Sequence, residues 1–311
     1  MTASELSDKE AKDVDICLYS FLSLQFFLSL PLIKLCQFFD LPMLVAYLVA
    51  LTSPGLFFTA IIRILKCTGH LTLIKHSRDR CQPDHPHSHA LTLKVSVYSL
   101  GLGLIASVGL NYVLYHSKVR GELVPFGFYL LLLSCFHFGE YFVTSLTNPS
   151  TLSLDSFLLD NSIAYQMAIL CSFVEYALEI YLLDSLKKFN LISMFGLFFA
   201  ISGEIIRKLA MLTAGKNFTH LISCTKDPEH RLVTHGVYSL MRHPSYTGWF
   251  YWAIGTQILL LNPISFVLFF YASYVFFKER IEYEEQMLIK FFKEDYIEYK
   301  RRVGNWLPII L

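Results

Sequence analysis

Long apolar runs, broken by short polar or proline-containing joints, dominate the chain. A helix needs about 20 mostly apolar residues to cross the hydrocarbon core of a bilayer. Eight segments read as such spans: roughly 16–38, 41–65, 91–115, 125–146, 161–183, 190–213, 244–261 and 263–278. Asp40–Leu41–Pro42 joins the first two, and the short last two meet at Asn262–Pro263. No segment alternates with period two, so helices rather than a barrel are indicated. Beyond 278, Leu288, Phe292, Tyr296 and Tyr299 recur at helical spacing between charges. That pattern predicts an amphipathic C-terminal helix over 279–303, lying on the membrane or against the other helices. The expected fold is an all-α integral membrane protein of about eight transmembrane helices, a single membrane domain over 1–311. The helices of 16–183 shape its membrane part.

Composition supports the spans. Of 311 residues, 54% are hydrophobic and 16% charged, against about 25% charged in an ordinary soluble domain. The net charge of +1 gives no case for nucleic acid. Residues 1–15 are polar and mixed in charge, unlike the start of a cleaved signal peptide, so the first apolar run reads as an uncleaved anchor. Lysine and arginine gather on the cytosolic side of a membrane. With both termini cytosolic, the other face keeps only Lys34, Lys118, Arg120, Lys187 and Lys188, and the loop 214–243 and the tail fall in the cytosol. Asn217-Phe218-Thr219, formally a glycosylation sequon, then never meets the lumenal machinery. The seven cysteines are scattered without a CxxC pair, which indicates neither a disulfide framework nor a zinc ribbon.

Three groups of residues carry candidate chemistry. The run from Gly236 to Phe250 leads into the seventh span, with Pro244 at a first helical position and Arg242 and His243 just before it. The N–H groups of Ser245, Tyr246 and Thr247 then offer an anion or polar-ligand site, although Arg, Tyr and Trp also serve as interfacial anchors. Arg280-Ile281-Glu282-Tyr283-Glu284-Glu285 ends the eighth span, and a tight hairpin sets it beside the start of the seventh. It fits either a ligand site for hydroxyls or an amine, or a solvated first turn. The third group is charge inside spans: Glu204 and Arg207, three apart and able to pair, then Glu175, Glu179 and Glu140. Such groups line ligand paths or form structural salt bridges. Cys81, His85, His87 and His89 have metal-like letters without metal-like spacing, so no metal site is assigned.

The segments GVYSLMRHPSYTGWFYW (236–252), HRLVTHG (230–236), RIEYEE (280–285), YIEYKRRV (296–303) and GEIIRKLAMLTAGKNFTH (203–220) together resemble the isoprenylcysteine carboxyl methyltransferase family, in its eight-helix animal form. The resemblance is close over about 200–311. Tyr283 interrupts what tends to be an unbroken acidic run. The resemblance implies S-adenosylmethionine as methyl donor, S-adenosylhomocysteine as product, and the C-terminal prenylcysteine carboxylate of CaaX proteins, such as small GTPases, as acceptor. It implies a multi-pass endoplasmic reticulum protein with a cytosolic catalytic face, and a catalytic part over 190–311. That part comprises a cofactor-binding loop 214–243, the hairpin 244–278 and the C-terminal helix 279–303. An α-carboxyl is already ionised at neutral pH, so an arginine clamp is expected rather than a general base. Arg207 is the first choice to fork onto the acceptor carboxylate, with Glu204 orienting it, and Arg280 is the alternative. The cofactor is expected on His220, Leu232, Val233, Gly236, Val237, Tyr238, Arg242, His243, Pro244, Tyr246 and Glu284. The R-H-P-x-Y-x-G core is also shared with membrane lipid N-methyltransferases and NADPH-dependent sterol reductases, which stand as alternatives.

Overall fold

The computed structural model describes residues 89–308, apart from 120, 161 and 227. The first two predicted spans lie outside the described residues, as do Cys81, His85 and His87. Every regular element among the described residues is helical. Six helices match the predicted spans between 91 and 278: α1 (His89–Val119), α2 (Val124–Thr147), α3 (Ile163–Leu183), α4 (Leu191–Ala214), α5 (Pro244–Leu260) and α6 (Pro263–Phe292). The last of them runs 14 residues past its predicted end at 278. The backbone turns sharply at Lys293, which has φ 50°, before a short α7 (Glu294–Arg302). The single helix expected over 279–303 is therefore two pieces: a continuation of the last membrane helix, and a separate helix folded back at a residue in the left-handed region.

Local chemistry explains where the helices begin and end. Pro125, Pro244 and Pro263 sit at helix starts, where the missing N–H costs nothing. Asn190 caps α4 by accepting from the Ser193 N–H. Where α5 and α6 meet, the free ends find charged partners. The Glu175 carboxylate accepts from the N–H groups of Ile264 (2.8 Å) and Ser265 (2.7 Å). Lys187 Nζ donates to the carbonyls of Leu260 (2.9 Å) and Leu261 (2.7 Å) and to Asn262 Oδ1 (3.0 Å), and it pairs with Glu179. In a bilayer such groups find no water, so the cost of leaving them free is several kcal/mol each.

By length and composition, three segments among the described residues qualify to cross a membrane: Lys94–Leu114, Gly121–Thr147 and Ile163–Leu183. The other three predicted spans among the described residues fall short for identifiable reasons. Glu204, Arg207 and Lys208 interrupt α4, α5 has only 17 residues, and α6 is strongly charged in its second half.

The tightest packing joins α4 to α5. Gly196, Ala200 and Gly203 meet Gly248, Trp252, Gly255 and Leu259 at backbone distance, a small-residue interface of the kind that lets helices approach closely in lipid. A Cβ at Gly203 would stand 2.5 Å from the Gly248 carbonyl oxygen and from the Trp252 nitrogen. This contact brings the C-terminal turns of α4 against the first turn of α5. Gly203→Ala is predicted to lower stability by about 1–3 kcal/mol through overpacking. Gly101→Ala, whose Cβ meets nothing within 4 Å, is the control. Thermal melts of purified protein in detergent test this, and equal melting temperatures for the two variants would show that the interface can yield.

Candidate active site

The C-terminal end of α4, the start of α5 and the second half of α6 converge at one end of the bundle around a cavity of about 150 Å³. Arg207 lies at its floor, 2% exposed. Its Nε and Nη2 donate to the two oxygens of Glu140 on α2, each at 2.6 Å. Nη1 donates to Ser245 Oγ at 2.7 Å and more weakly to the Ser245 carbonyl at 3.3 Å. The guanidinium also faces Trp249 at 4.7 Å and Phe136 at 5.5 Å, both cation–π contacts. Glu140 receives Lys208 as well, and His220 Nε2 at 2.9 Å. The pairing expected between Glu204 and Arg207 does not form. Glu204 pairs with Lys208 at 3.2 Å, because the tight α2–α4 approach gives Arg207 a fully buried carboxylate with fork geometry. The bidentate edge of Arg207, expected to meet an acceptor, is thus already engaged.

A second buried cluster builds the opposite wall. Arg242 Nε donates to Glu285 Oε1 at 2.9 Å, its Nη1 to the Val303 carbonyl at 2.7 Å, and its backbone N–H to the Gly304 carbonyl at 3.1 Å. His243 Nε2 reaches the same Glu285 oxygen at 3.2 Å, and Lys300 pairs with the other. Burial alone would raise the Glu285 carboxyl. The hydrogen bonds from His243 and Lys300, with the charges of His243 and Arg242, outweigh it and hold the group well below the usual carboxylate range. Arg280 donates from Nε to Tyr246 Oη at 2.9 Å and from Nη2 to the His220 carbonyl, while its Nη1 makes no hydrogen bond among the described residues.

The stretch from Asn217 to Val233 covers the cavity. Asn148, at the end of α2, donates to the carbonyls of Lys216 (3.1 Å) and Phe218 (3.0 Å). Asn217 accepts from the Arg231 N–H at 2.8 Å, and Lys226 donates to the Phe291 carbonyl at 2.8 Å. Asn217 lies on the cavity wall with its amide engaged, a structural use for the residue of the formal sequon.

Most of the expected site residues come together. Arg207, Arg280, His220, Leu232, Val233, Tyr238, Arg242, His243, Pro244, Tyr246 and Glu284 line the cavity, whereas Glu204, Gly236 and Val237 do not. Gly236 has φ +58° and turns the chain into the 3₁₀ helix Gly236–Ser239. The offer of three free N–H groups at the start of α5 is reduced, since the Thr247 N–H bonds the His243 carbonyl at 3.0 Å. Leu288, Phe292, Tyr296 and Tyr299, the stripe read as facing membrane or protein, line the cavity as well. Nor is the site confined to 190–311, for Leu158 lines it and Glu140 holds Arg207. Glu140 is visible in sequence as a charge within a span, but its partner lies 67 positions away and no spacing rule connects them.

The architecture and this cavity define a helical membrane protein with a polar, arginine-rich site at one end of its bundle and an apolar wall from Leu158, Trp249, Phe276 and Phe277. The profile of the isoprenylcysteine carboxyl methyltransferase (ICMT) family matches residues 194–290. The protein-S-isoprenylcysteine O-methyltransferase of Xenopus laevis is 48% identical over 213 residues, 68% of this chain and 70% of that protein. That of Tribolium castaneum is 43% identical over 216 residues, 70% of this chain and 76% of that protein. That of Homo sapiens is 50% identical over 185 residues, 60% of this chain and 65% of that protein. A solved structure of the eukaryotic intramembrane Ras methyltransferase ICMT superposes with TM-score 0.74 at 33% identity, covering 96% of this chain and 98% of that one. The chain belongs to the isoprenylcysteine carboxyl methyltransferase family.

Glu285 supplies a test of the second cluster. A carboxyl held below its ordinary value of 4.5 contributes stability that is present above that value and lost as pH falls below it. Glu285→Gln is predicted to cost on the order of 3 kcal/mol at pH 7, by leaving Arg242 buried without its countercharge. The gap to wild type should narrow as pH is lowered below 4.5. Unfolding followed in detergent at several pH values checks this, and a constant gap would remove Glu285 as the acid-sensitive group.

Proposed function

We propose that the protein methylates the C-terminal prenylcysteine α-carboxylate of prenylated CaaX proteins, with S-adenosylmethionine as donor, giving a methyl ester and S-adenosylhomocysteine. Family membership and the name shared by the relatives support carboxyl O-methylation and do not favour a lipid N-methyltransferase or a sterol reductase. The observation that carries the reading is one cavity on which four arginines from separate segments, Arg207, Arg231, Arg242 and Arg280, border an apolar wall. An ionised carboxylate attached to a prenyl chain needs both.

Buried polar atoms without hydrogen bonds fit a polar cofactor in the same cavity. Arg242 Nη2, Tyr296 Oη and Glu284 Oε2 have no hydrogen-bond partner, the last meeting His243 Nδ1 only at ion-pair distance (3.7 Å), and all three residues line the wall. A donor pair and a carboxylate suit a molecule with a carboxylate, an amine and ribose hydroxyls. Arg242, His243, Tyr246, Glu284, Tyr296 and the 217–233 cover would hold it, with Tyr238, Leu232 and Val233 enclosing it. S-adenosylmethionine supplies an electrophilic methyl group when bound. Because the acceptor is already ionised, no residue has to remove a proton. The side chains orient the carboxylate and exclude water. Arg280, with Nη1 free, is the better candidate to grip the acceptor carboxylate. Arg207, held by Glu140 and Ser245, serves as a fixed positive floor.

The remaining features belong to the same reading. Eight transmembrane helices, two of them outside the described residues, form one membrane domain whose reactive end faces the cytosol, together with both termini. The biased placement of lysine and arginine supports that orientation, and family likeness supports the endoplasmic reticulum. The acceptors would be lipidated proteins such as small GTPases, presented from the surrounding lipid.

Transfer of labelled methyl to N-acetyl-S-farnesylcysteine by purified protein in lipid tests the reading. Base-labile label on the acceptor is the expected result, and folded protein that binds the cofactor yet leaves the acceptor unlabelled would overturn it. Arg280→Lys is predicted to reduce kcat/KM for the acceptor by roughly 10²-fold, since a point charge cannot keep the planar alignment. Glu284→Gln is predicted instead to weaken cofactor binding. Unchanged turnover in Arg280→Lys would take that residue out of the acceptor site.

A further inference from the structure

Glu140 sits on a helix that contributes no residue to the cavity wall, yet its carboxylate connects Arg207, the positive floor of the site, with Arg280, assigned above to the acceptor. One connection is direct: Oε1 and Oε2 accept from Arg207 Nε and Nη2. The other runs through His220. The imidazole Nε2 donates to Glu140 Oε2 at 2.9 Å, and the carbonyl of the same residue accepts from Arg280 Nη2, whose Nε in turn holds Tyr246 Oη. Arg207 on α4 and Arg280 on α6 lie 73 positions apart and share no hydrogen bond with each other. Two hydrogen-bonded routes join them: one through the consecutive residues Ser245 and Tyr246 of α5, the other through the chain Arg207–Glu140–His220–Arg280, which alone reaches the cover segment.

The burial of these groups makes the link stiff. Glu140 has no exposed surface and the side chain of Arg207 has 2%, so neither can swing toward water for compensation. The His220 side chain is 17% exposed and lies at the edge of the cavity, in the segment that covers it. Lys208 is the third group on Glu140 and pairs with Glu204 as well.

We propose that Glu140 is a positioning residue for the acceptor, holding Arg207 directly and Arg280 through His220 so that the two guanidinium groups meet one carboxylate in register. The proposal rests on the reading that these arginines bind the acceptor carboxylate. Positioning of this kind acts on the charged end of the acceptor and not on its prenyl chain. The telling quantity is therefore the ratio of affinities for N-acetyl-S-farnesylcysteine and for its carboxamide, which keeps the lipid and loses the charge.

Wild-type protein is expected to bind the carboxylate at least about tenfold tighter than the carboxamide, the worth of one charge-assisted hydrogen bond. His220→Ala is expected to reduce that ratio toward one, leaving carboxamide binding near the wild-type value. His220→Gln, which keeps an N–H donor for Glu140, is expected to restore most of it. Glu140→Gln should act like His220→Ala where it folds, and the two histidine variants decide the matter where it does not. Equal weakening of both ligands in His220→Ala, or an unchanged ratio, would overturn the proposal. Loss of discrimination in the wild type itself would overturn the two-arginine reading instead, and so the two failures are separable.

Discussion

A guanidinium inside a lipid-bounded helical bundle persists only with a countercharge, and the contact between Arg207 and Glu140 is the constraint on which this end of the structure depends. Removing one partner of such a pair strands a buried charge at a cost of about 3–5 kcal/mol. The pair therefore dictates that α2 lie against the last turns of α4. The glycine-rich contact of α4 with α5 then delivers Ser245 and Trp249 to the other faces of the same guanidinium. Fold and site are one problem here, since the helix packing that buries Arg207 is also what aims it.

The two ends of the bundle answer the same demand differently. Around Asn262, Glu175 and Lys187 occupy the free N–H and carbonyl groups of α5 and α6, and the amide of Asn262 itself bonds back to Ser172. At the cavity end, buried donors and acceptors remain unmatched on Arg242, Tyr296 and Glu284. An unmatched buried polar group destabilises a protein unless a ligand completes it. Around Asn262 charged side chains clamp the helix ends, whereas the unmatched groups of Arg242, Tyr296 and Glu284 border the cavity.

Much of this was legible in the sequence, and the misses have physical causes. Apolar length and proline placement located α1 to α6, because in lipid the helix is the structure that pairs its own backbone. The motif residues from Arg242 to Tyr246 and the acidic end of α6 meet, as the short joint at Asn262–Pro263 requires. The pairing of Glu204 with Arg207 was misread because helical spacing reports only neighbours on one helix. A carboxylate from α2 with two well-placed oxygens competes better than a partner three residues away. The stripe of Leu288, Phe292, Tyr296 and Tyr299 was readable as amphipathic, yet its direction was not. Which surface it faces depends on the turn at Lys293, a residue type with no particular preference for φ 50°.

That turn also bears on how one site could serve a lipid-linked acceptor and a water-soluble cofactor. Folding α7 back places Tyr296 and Tyr299 on the cavity wall and joins Lys300, Val303 and Gly304 to the Arg242–Glu285 cluster. The polar chamber is thereby closed by residues beyond the last membrane helix, while the apolar wall of Trp249, Phe276 and Phe277 stays within the bundle. On α6, Phe276 and Phe277 lie on one side of Arg280, and Glu284 with Met287, Leu288, Phe291 and Phe292 on the other. Methyl transfer to a carboxylate requires alignment more than proton transfer. Under the proposed reading, a buried ion-paired floor with Arg280 beside it would supply that alignment without a general base.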